Sequence, residues 1–302
     1  MYAIGLDIGG TKIAASLVDE NGNCSFKKVY PSIAYDSEAM FLQVVDCIKD
    51  VIKESGYEND RIVGIGVGVP GKIDAQKGIA IFQNNLPWRN FPLIERLQTI
   101  FPCKMIMGND VAMAAYGEWV IEGKNMNDTF VYFTWSTGVS SSIIHEGRPF
   151  KGRGFAGEIG LIFQESDNQR LEAQVSGPSI SSIYSQKLSR KLTTKEIISE
   201  YKRGNETVVG MMEPIMIKMA KGVYTIICLI DPHKIVFGGS VITNNPFLLE
   251  ILKEKLSNMA IPEQNLSSEK MFASTLADNG MIGAGLKVIH ENQLNADYSE
   301  ND

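Results

Sequence analysis

The sequence predicts an α/β protein built from two related halves. Residues 2–18 and 130–144 share one pattern, in which an apolar strand, a glycine-bearing turn and a second apolar strand follow one another. Segments with helical spacing of apolar side chains, such as residues 38–55, alternate with the strands. The 302 residues are enough for two cores. We therefore expect an N-terminal α/β lobe over 1–117 and a C-terminal α/β lobe over 118–302, with the last helix a candidate to return to the first lobe.

Composition excludes several classes of function. The chain is 44% hydrophobic and 21% charged, which is typical of a soluble globular protein, and its net charge of -6 disfavours nucleic acid or an anionic membrane as partner. It contains neither a run of about 18 apolar residues nor a leader-like segment after Met1, so we expect a cytoplasmic protein without a membrane partner. The cysteines at 24, 47, 103 and 228 are widely spaced. This is typical of reduced core thiols rather than a disulfide framework or a zinc knuckle.

The first strand ends close to a carboxylate. Residues 2–8 form a near-continuous apolar run that contains Asp7, and Gly9-Gly10 turns the chain into a second strand over 13–18. Dinucleotide-binding and Walker-type loops run from a strand into a helix. Here the glycines join strand to strand, so neither of those interpretations fits.

A second carboxylate stands at a strand-to-helix junction. Asn109-Asp110 follows the apolar run 104–107 and opens an alanine-rich segment with high helix propensity. Taken alone, such a pair favours helix capping, although a carboxylate there can also do chemistry at the positive end of the helix. Together with two glycine-rich turns that can approach phosphate, the pair indicates a phosphotransferase.

The second half repeats the strand and turn and then adds helices. In chain order the pattern predicts a strand over 130–135, a turn over 134–138, a loop over 154–161, an acidic stretch at 171–173, a capping box at 193–196, a long helix over 211–230, a strand over 234–237 running into Gly238-Gly239, and a final helix from 279.

These motifs resemble the ROK family of sugar kinases and sugar-responsive repressors, and the resemblance covers nearly the whole chain. The matching stretches are Asp7 to Lys12, Gly66 to Gly71, Asn85 to Trp88, Asn109-Asp110, Gly157 to Gly160, Leu171 to Ala173 with Val175 to Pro178, Asp231-Pro232 and Gly238-Gly239. Each glycine motif is weak evidence by itself, whereas the ordered series is strong. The resemblance implies an actin-like (ribonuclease H-like), two-lobed ATPase fold with a central cleft.

The resemblance also implies roles for individual residues. Asp110 would be the general base that takes the proton of the sugar hydroxyl, and Asp7 would hold Mg²⁺ through water. The expected sugar ligands are Gly71, Asn84, Asn109, Glu158 and Glu172. The expected ATP-binding residues are Asp7, Gly9, Gly10, Thr11, Lys12, Thr137, Gly138, Gly238 and Gly239. Two alternatives stay open, in which Asn84 only makes a turn and Glu172 only caps a helix.

Three departures from the family pattern shape the expected activity. Leu161 stands where the family commonly has a histidine, and residues 164–170 contain no cysteine or histidine, so a zinc-free member is expected. Serines at 136, 140, 141 and 142 replace glycines of the second phosphate motif, and we expect them to restrict the turn and weaken nucleotide binding. Leucine at 161 favours a substituted sugar such as an N-acetylhexosamine or a β-glucoside, unless this side chain packs in the core.

The sequence thus predicts an ATP-dependent kinase acting on the 6-hydroxyl of a hexose or N-acetylhexosamine of the N-acetylmannosamine or glucose type. The alternatives are a catalytically weak or silent sugar-binding protein and a β-glucoside or fructose kinase. Repressors of the family carry a DNA-binding segment before the first phosphate motif, where this sequence has six residues, so no nucleic-acid partner is expected. Family members often form dimers, and a homodimer is one expected assembly.

Overall fold

The computed structural model describes residues 1–57, 61–164, 168–264 and 270–299, with side chains up to residue 294. The chain divides into two compact units. The N-terminal unit comprises Met1–Asn125, Lys151–Phe155 and Leu276–Asp302, and the C-terminal unit comprises Met126–Phe150 and Ala156–Thr275. Each unit combines sheets with helices, which confirms the predicted α/β class.

The strands are short and lie mostly in two sheets. In chain order they are β1 Tyr2–Ile8, β2 Lys12–Asp19, β3 Cys24–Pro31, β4 Ile62–Val69, β5 Lys72–Asp74, β6 Ile79–Phe82, β7 Arg89–Phe91, β8 Met105–Asn109, β9 Phe130–Trp135, β10 Val139–His145, β11 Arg148–Pro149, β12 Phe163–Gln164, β13 Gln169–Arg170, β14 Lys234–Gly238 and β15 Met271–Ala273.

The helices include one long segment in each unit. They are α1 Ser37–Ser55, α2 Leu93–Ile100, α3 Asp110–Ile121, α4 Leu171–Val175, α5 Gly177–Lys187, α6 Thr194–Lys202, α7 Glu206–Ile230, α8 Ser240–Thr243, α9 Phe247–Ser257 and α10 Asn279–Ser299, with 3₁₀ turns at Ile159–Leu161 and Pro262–Gln264. The predicted capping box is confirmed, because Thr193 and Glu196 bond each other's backbone N–H groups at the start of α6.

The two units contain sheets of the same design. The N-terminal sheet has the order β3-β2-β1-β4-β8, and the C-terminal sheet has the order β11-β10-β9-β14-β15. In both, the first three strands are antiparallel and the next two run parallel to the central strand. This shared order supports the two related halves inferred from the repeated pattern. Because β1, β4 and β8 are parallel, their carboxyl ends meet at one edge of the sheet, where ligands bind in open α/β sheets.

The last helix, α10, packs on the N-terminal sheet at very short range. A β-carbon on Gly66 of β4 would lie 1.9 Å from the carbonyl oxygen of Ala284, and one on Gly283 would lie 1.8 Å from the carbonyl oxygen of Met113 in α3. Only glycine permits such approaches. The glycines of β4 and α10 therefore fix the helix against both the sheet and α3.

The cysteines only partly follow the prediction. All four are free thiols; Cys47 is buried and Cys103 is half-buried, but Cys24 and Cys228 are exposed. The expectation of core thiols is therefore wrong for Cys24 and Cys228. Cys24 begins β3, the outermost strand of its sheet, and Cys228 lies near the end of α7 on its outer face.

Candidate functional site

Two acidic residues meet at the carboxyl edge of the N-terminal sheet. Asp7 in β1 pairs with Gly68 in β4, and Gly68 pairs in turn with Gly108 of β8, just before Asp110. A β-carbon on Gly68 would lie 3.6 Å from Asp7 Oδ1 and 3.6 Å from the Cα of Asp110. Gly68, which has no side chain, therefore lies between Asp7 and Asp110.

Asp7 is held in an environment that disfavours its charge. Burial raises the pKa of Asp7 to about 6; Lys12 acts to lower this pKa, and Asp278 acts to raise it. A β-carbon on Gly280, in the first turn of α10, would lie 3.4 Å from Asp7 Cγ, so the carboxylate packs against the start of that helix. A carboxylate whose negative charge is destabilised by burial is suited to binding a hard cation, because the cation's charge stabilises the ionised form. The residues present thus fit the expected Mg²⁺.

Two hydrogen bonds at Gly9 hold the first glycine turn. Gly9 N–H donates to the carbonyl of Lys12 at 2.9 Å, and the Ser32 hydroxyl donates to the carbonyl of Gly9. A β-carbon on Gly10 would lie 2.4 Å from the Cβ of Asn85, so the Asn84–Trp88 loop packs directly on this turn. Asn84 and Asn85 are both exposed at the tip of that loop. The structure therefore brings the Gly9–Lys12 turn and the Asn84–Trp88 loop into contact.

Asn109 is the N-cap of α3. Its side-chain oxygen accepts from the N–H groups of Val111 and Ala112 at 3.0 and 3.2 Å, and its Nδ2 donates to the carbonyl of Gly71 at 3.4 Å. The capping interpretation of this pair is thus correct for Asn109. Asp110 becomes the first helical residue, at the positive end of the helix dipole. The cap thus fixes the position of Asn109 and of the adjoining Asp110.

The second glycine turn, Ser136–Gly138, is held by Glu172. Glu172 Oε2 accepts from the N–H of Val139 at 2.8 Å. A β-carbon on Gly138 would lie 2.9 Å from that same oxygen, so the carboxylate lies directly against the turn. Glu172 does not cap α4, whose N-cap residue makes no side-chain bond. The helix-capping alternative for Glu172 is therefore wrong, while exposed Thr137 stands at the tip of the turn.

Glu158 lies beside Glu172 in the same unit. Burial raises the pKa of Glu158, a hydrogen bond from Ser140 lowers it, and the charge of Glu172 raises it. Leu161 follows within one 3₁₀ turn, since its N–H donates to the carbonyl of Glu158 at 3.0 Å. The Leu161 side chain is 38% exposed, so the alternative in which it packs in the core is wrong.

The serines of the second phosphate motif occupy unexpected positions. Ser140, Ser141 and Ser142 lie in β10 rather than in the turn, and Ser141 Oγ donates to the carbonyl of Gly157 at 2.7 Å. Ser136 alone lies in the turn, where its hydroxyl bonds that of Ser240 at 3.1 Å. The expectation that all four serines restrict the turn is wrong for the three in β10, because an extended strand does not require positive φ.

Gly238 and Gly239 permit close packing at the end of β14. A β-carbon on Gly238 would lie 2.1 Å from the Tyr132 hydroxyl oxygen, and one on Gly239, where φ is +85°, would lie 2.5 Å from the carbonyl oxygen of Trp135. This pair therefore lets α8 start beside the strand that leads into the second glycine turn.

The candidate residues fall into one group in each unit. The N-terminal group contains Asp7, Gly9, Gly10, Thr11, Lys12, Gly71, Asn84, Asn109 and Asp110, and the C-terminal group contains Thr137, Gly138, Glu158, Glu172, Gly238 and Gly239. The sequence interpretation missed Asn85 against Gly10 and the bond from Val139 to Glu172. Asn85 is part of the family motif, so it could have been found, whereas the other contact spans 33 positions and has no local signal.

Within residues 1–57, 61–164, 168–264 and 270–299, no three histidine, cysteine or acidic side chains are grouped as metal ligands. Residues 165–167, inside the 164–170 stretch that lacks cysteine and histidine, lie outside the described residues, and the zinc-free expectation stays a prediction. No helix among the same described residues combines the length and the apolar character needed to cross a bilayer.

Comparison with known sequences gives one consistent family. Residues 3–291 match the ROK family. The chain is 26% identical over 310 residues to a glucokinase of Halalkalibacterium halodurans, covering 94% of each chain. It is 30% identical over 254 residues to a glucokinase of Pyrobaculum calidifontis, covering 80% of each. A xylose repressor of Caldicellulosiruptor bescii is also similar, at 25% identity over 92% of this chain and 75% of the repressor.

Solved structures show the same fold. A ROK hexokinase from Thermus thermophilus superposes with a TM-score of 0.82 at 24% identity, covering 97% of this chain and 99% of that one. A ROK family glucokinase from Streptomyces griseus, in complex with glucose and AMPPNP, gives a TM-score of 0.79 at 22% identity, with 94% and 98% covered. The actin-like, hexokinase-like fold implied by the motifs is thereby confirmed.

Proposed function

The chain belongs to the ROK family, and from that premise we propose that it transfers the γ-phosphoryl group of ATP to the 6-hydroxyl of a hexose or N-acetylhexosamine. The broader activity, an ATP-dependent carbohydrate kinase, agrees with the glucokinases among its relatives. The observation that carries the proposal is the placement of Asp7 and Asp110 on either side of Gly68. In kinases, one carboxylate commonly holds the metal on the nucleotide side and another accepts the proton of the acceptor hydroxyl.

Asp110 is the proposed general base. It stands at the N-terminus of α3, directly after the cap residue Asn109, where the rigid helix fixes its position. It would accept the proton of the attacking hydroxyl as the bond to phosphorus forms. Because phosphoryl transfer depends mainly on positioning and charge neutralisation, the base only has to hold and receive this proton.

The two glycine turns are the proposed phosphate cradles. On the N-terminal unit, Gly10 and Thr11 are the proposed backbone N–H donors, while Gly9, whose own N–H bonds Lys12, shapes the turn. On the C-terminal unit, the proposed donors are Thr137 and Gly138. Gly238, Gly239 and Lys12 complete the proposed nucleotide-binding set. Mg²⁺, held through water by Asp7, would supply neutralisation of phosphate charge.

Sugar hydroxyls are the proposed partners of the remaining candidates. Gly71, Asn84, Asn109, Glu158 and Glu172 form the predicted set, and we add Asn85 because it lies against Gly10. Glu172 bonds the turn through Oε2. Because a carboxylate has about four acceptor positions, Glu172 can also accept a hydrogen bond from a sugar hydroxyl. A buried sugar hydroxyl requires such partners, which is how a kinase selects its sugar.

The choice of sugar depends on Leu161. Its exposed side chain lies one 3₁₀ turn from Glu158, so it offers an apolar surface beside a proposed sugar ligand. An unpaired hydroxyl there would cost about 1–3 kcal/mol, which favours an N-acetyl or glycosidic substituent. The names of the relatives favour glucose instead. The preferred sugar can be found by measuring kcat/KM for glucose, N-acetylmannosamine, N-acetylglucosamine and a β-glucoside. A tenfold preference for glucose would contradict the apolar-surface proposal.

A coupled ADP-release assay over a panel of sugars tests the proposed function. We expect ADP release that depends on one sugar, on Mg²⁺ and on Asp110. Nucleotide and sugar binding without ADP release from any member of the panel would instead identify a silent sugar-binding protein. A homodimer and the lack of a nucleic-acid partner remain predictions, which light scattering and a DNA-binding assay can check.

A further inference from the structure

Arg89 closes the loop that carries Asn84 and Asn85. This residue begins β7, directly after the loop, and the two hydrogens of its Nη1 are shared among three loop carbonyls. The acceptors are the carbonyl oxygens of Gln83 at 3.0 Å, Leu86 at 3.2 Å and Trp88 at 2.6 Å. One side chain thus bonds the beginning, the middle and the end of the loop.

The loop has few other internal tethers. In the described part of the chain, residues 83–88 make no backbone–backbone hydrogen bond outside regular elements, so their carbonyls depend on side chains or water. The Gln83 side chain donates to the carbonyl of Lys72 at 3.1 Å and so anchors the first end of the loop. Arg89 is therefore the side chain that ties both ends together.

Buried side chains anchor the second half of the loop, whereas the two asparagines before it are exposed. Trp88 is fully buried, donates from its indole N–H to the carbonyl of Ser37 at 3.1 Å and stacks on Phe91 at 5.0 Å. Asn84 and Asn85 are exposed. Leu86 is 3% exposed and packs in the core, so the position of the tip beside Gly10 depends on this side chain together with the Arg89 bonds.

The Arg89 guanidinium is held in place by the ring of Phe82. It lies 4.4 Å from the centroid of the Phe82 ring, a cation–π contact that fixes its plane, and β6 and β7 pair at Phe82 and Arg89. A planar guanidinium presents several donors in a fixed geometry, which the compact ammonium of lysine does not reproduce. Arg89 is exposed, so replacing it opens no core cavity.

We propose that Arg89 is a positioning residue that sets the conformation of the 83–88 loop and, through it, the affinity for sugar. This inference rests on the proposed function, because it assigns Asn84 and Asn85 to the sugar. The three hydrogen bonds of Arg89 go to carbonyls of the loop itself. The loss of Arg89 is expected to act more strongly on sugar binding than on nucleotide binding, which the loop reaches through the packing of Asn85 on Gly10.

The test compares Arg89→Met and Arg89→Lys with the control Arg96→Met. Arg96 also stacks on aromatic rings, those of Phe41 and Phe91, and pairs with Glu38 at 2.6 Å, but it bonds no loop carbonyl. We expect Arg89→Met to raise KM for sugar by about tenfold or more, with kcat and KM for ATP within about threefold of wild type. Arg89→Lys should recover part of the loss, and Arg96→Met should leave KM for sugar unchanged.

Hydrogen exchange provides a measurement that does not depend on activity. Peptides covering 83–92 should exchange faster in Arg89→Met than in wild type or Arg96→Met, and millimolar guanidinium ion should restore KM in an Arg89→Ala variant. Equal effects of Arg89→Met and Arg96→Met on KM for sugar, or unchanged exchange in 83–92, would overturn the proposal. If wild type releases no ADP with any sugar, the proposed function fails, while the exchange measurement still decides whether Arg89 holds the loop.

Discussion

Removing the Glu172 carboxylate should weaken nucleotide binding even when no sugar is present. The resemblance assigns Glu172 to sugar, yet the structure bonds its Oε2 to the N–H of Val139, the residue that follows the second glycine turn. Glu172→Ala removes the acceptor of that N–H, so the turn loses this hydrogen bond. Glu172→Gln keeps a carbonyl oxygen that can accept the same hydrogen bond but removes the charge.

The hydrogen bond sets the size of the effect. A charge-assisted bond of 2.8 Å contributes about 1.5–3 kcal/mol, and the lower end applies because this contact is only partly buried. A loss of about 1.5–2 kcal/mol corresponds to a Kd that is about 10–30 times higher. A neutral acceptor gives about half that stabilisation, so Glu172→Gln should raise Kd only about three- to fivefold.

The assay is calorimetric titration with AMPPNP and Mg²⁺ in the absence of sugar. Glu158→Gln is the matched control, because Glu158 lies beside Glu172 and is bonded by Ser140 rather than by the turn. Its Kd for AMPPNP should stay within twofold of wild type. If Glu172→Ala also stays within twofold while keeping the melting temperature of wild type, Glu172 does not brace the phosphate turn.

Other perturbations test the remaining parts of the site and fold. Asp110→Asn should lower kcat by about two to four decades with sugar binding nearly intact, and retention of more than about a tenth of kcat would exclude Asp110 as the base. Gly68→Ala should keep the melting temperature but lower kcat/KM at least about tenfold, because its methyl fits at 3.6 Å between the two carboxylate residues. Gly66→Ala, which meets a carbonyl at 1.9 Å, should instead destabilise the fold. Burial and nearby lysines lower the pKa of His290 to about 4, so the unfolded chain binds more protons between pH 6.5 and 4. This contribution to stability is therefore complete above pH 6.5 and falls towards pH 4, by about 1–2 kcal/mol after allowance for solvent screening, because only the unfolded chain binds the proton in this range. A flat urea-midpoint profile in this range, or the same slope in His290→Gln, would contradict this. Elemental analysis should find far less than one zinc per chain, and a stoichiometric zinc lost together with activity on chelation would refute the zinc-free prediction.

The strands and their turns were predictable because their signals are local. β1 and β9 are apolar runs, and each is followed by a glycine-bearing turn and a second strand. This pattern predicts the strands of the α/β fold and its repetition in the second half. The capping box at Thr193 is likewise complete within four residues. Periodicity and caps act over one turn of chain, so one sequence suffices to find them.

The remaining features depend on contacts between distant segments. Ser141 was expected in the turn, but strand pairing in β10 placed it in extended backbone, where its hydroxyl bonds Gly157. The bond from Val139 to Glu172 spans 33 positions, and the packing of Gly66 on Ala284 spans the chain from β4 to α10. No local pattern encodes such pairs, because only the assembled sheet brings them together.

The most direct test of the central claim is proton-coupled ³¹P NMR of a reaction that contains the protein, ATP, Mg²⁺ and the preferred sugar of the panel. A phosphate ester at the exocyclic 6-position couples to the two protons of a methylene group, so we predict a new triplet that grows as the γ-phosphate signal of ATP disappears, and no such signal with Asp110→Asn. A doublet would place phosphate on a ring hydroxyl, and the absence of any sugar phosphate would contradict the assignment of this chain as a sugar kinase.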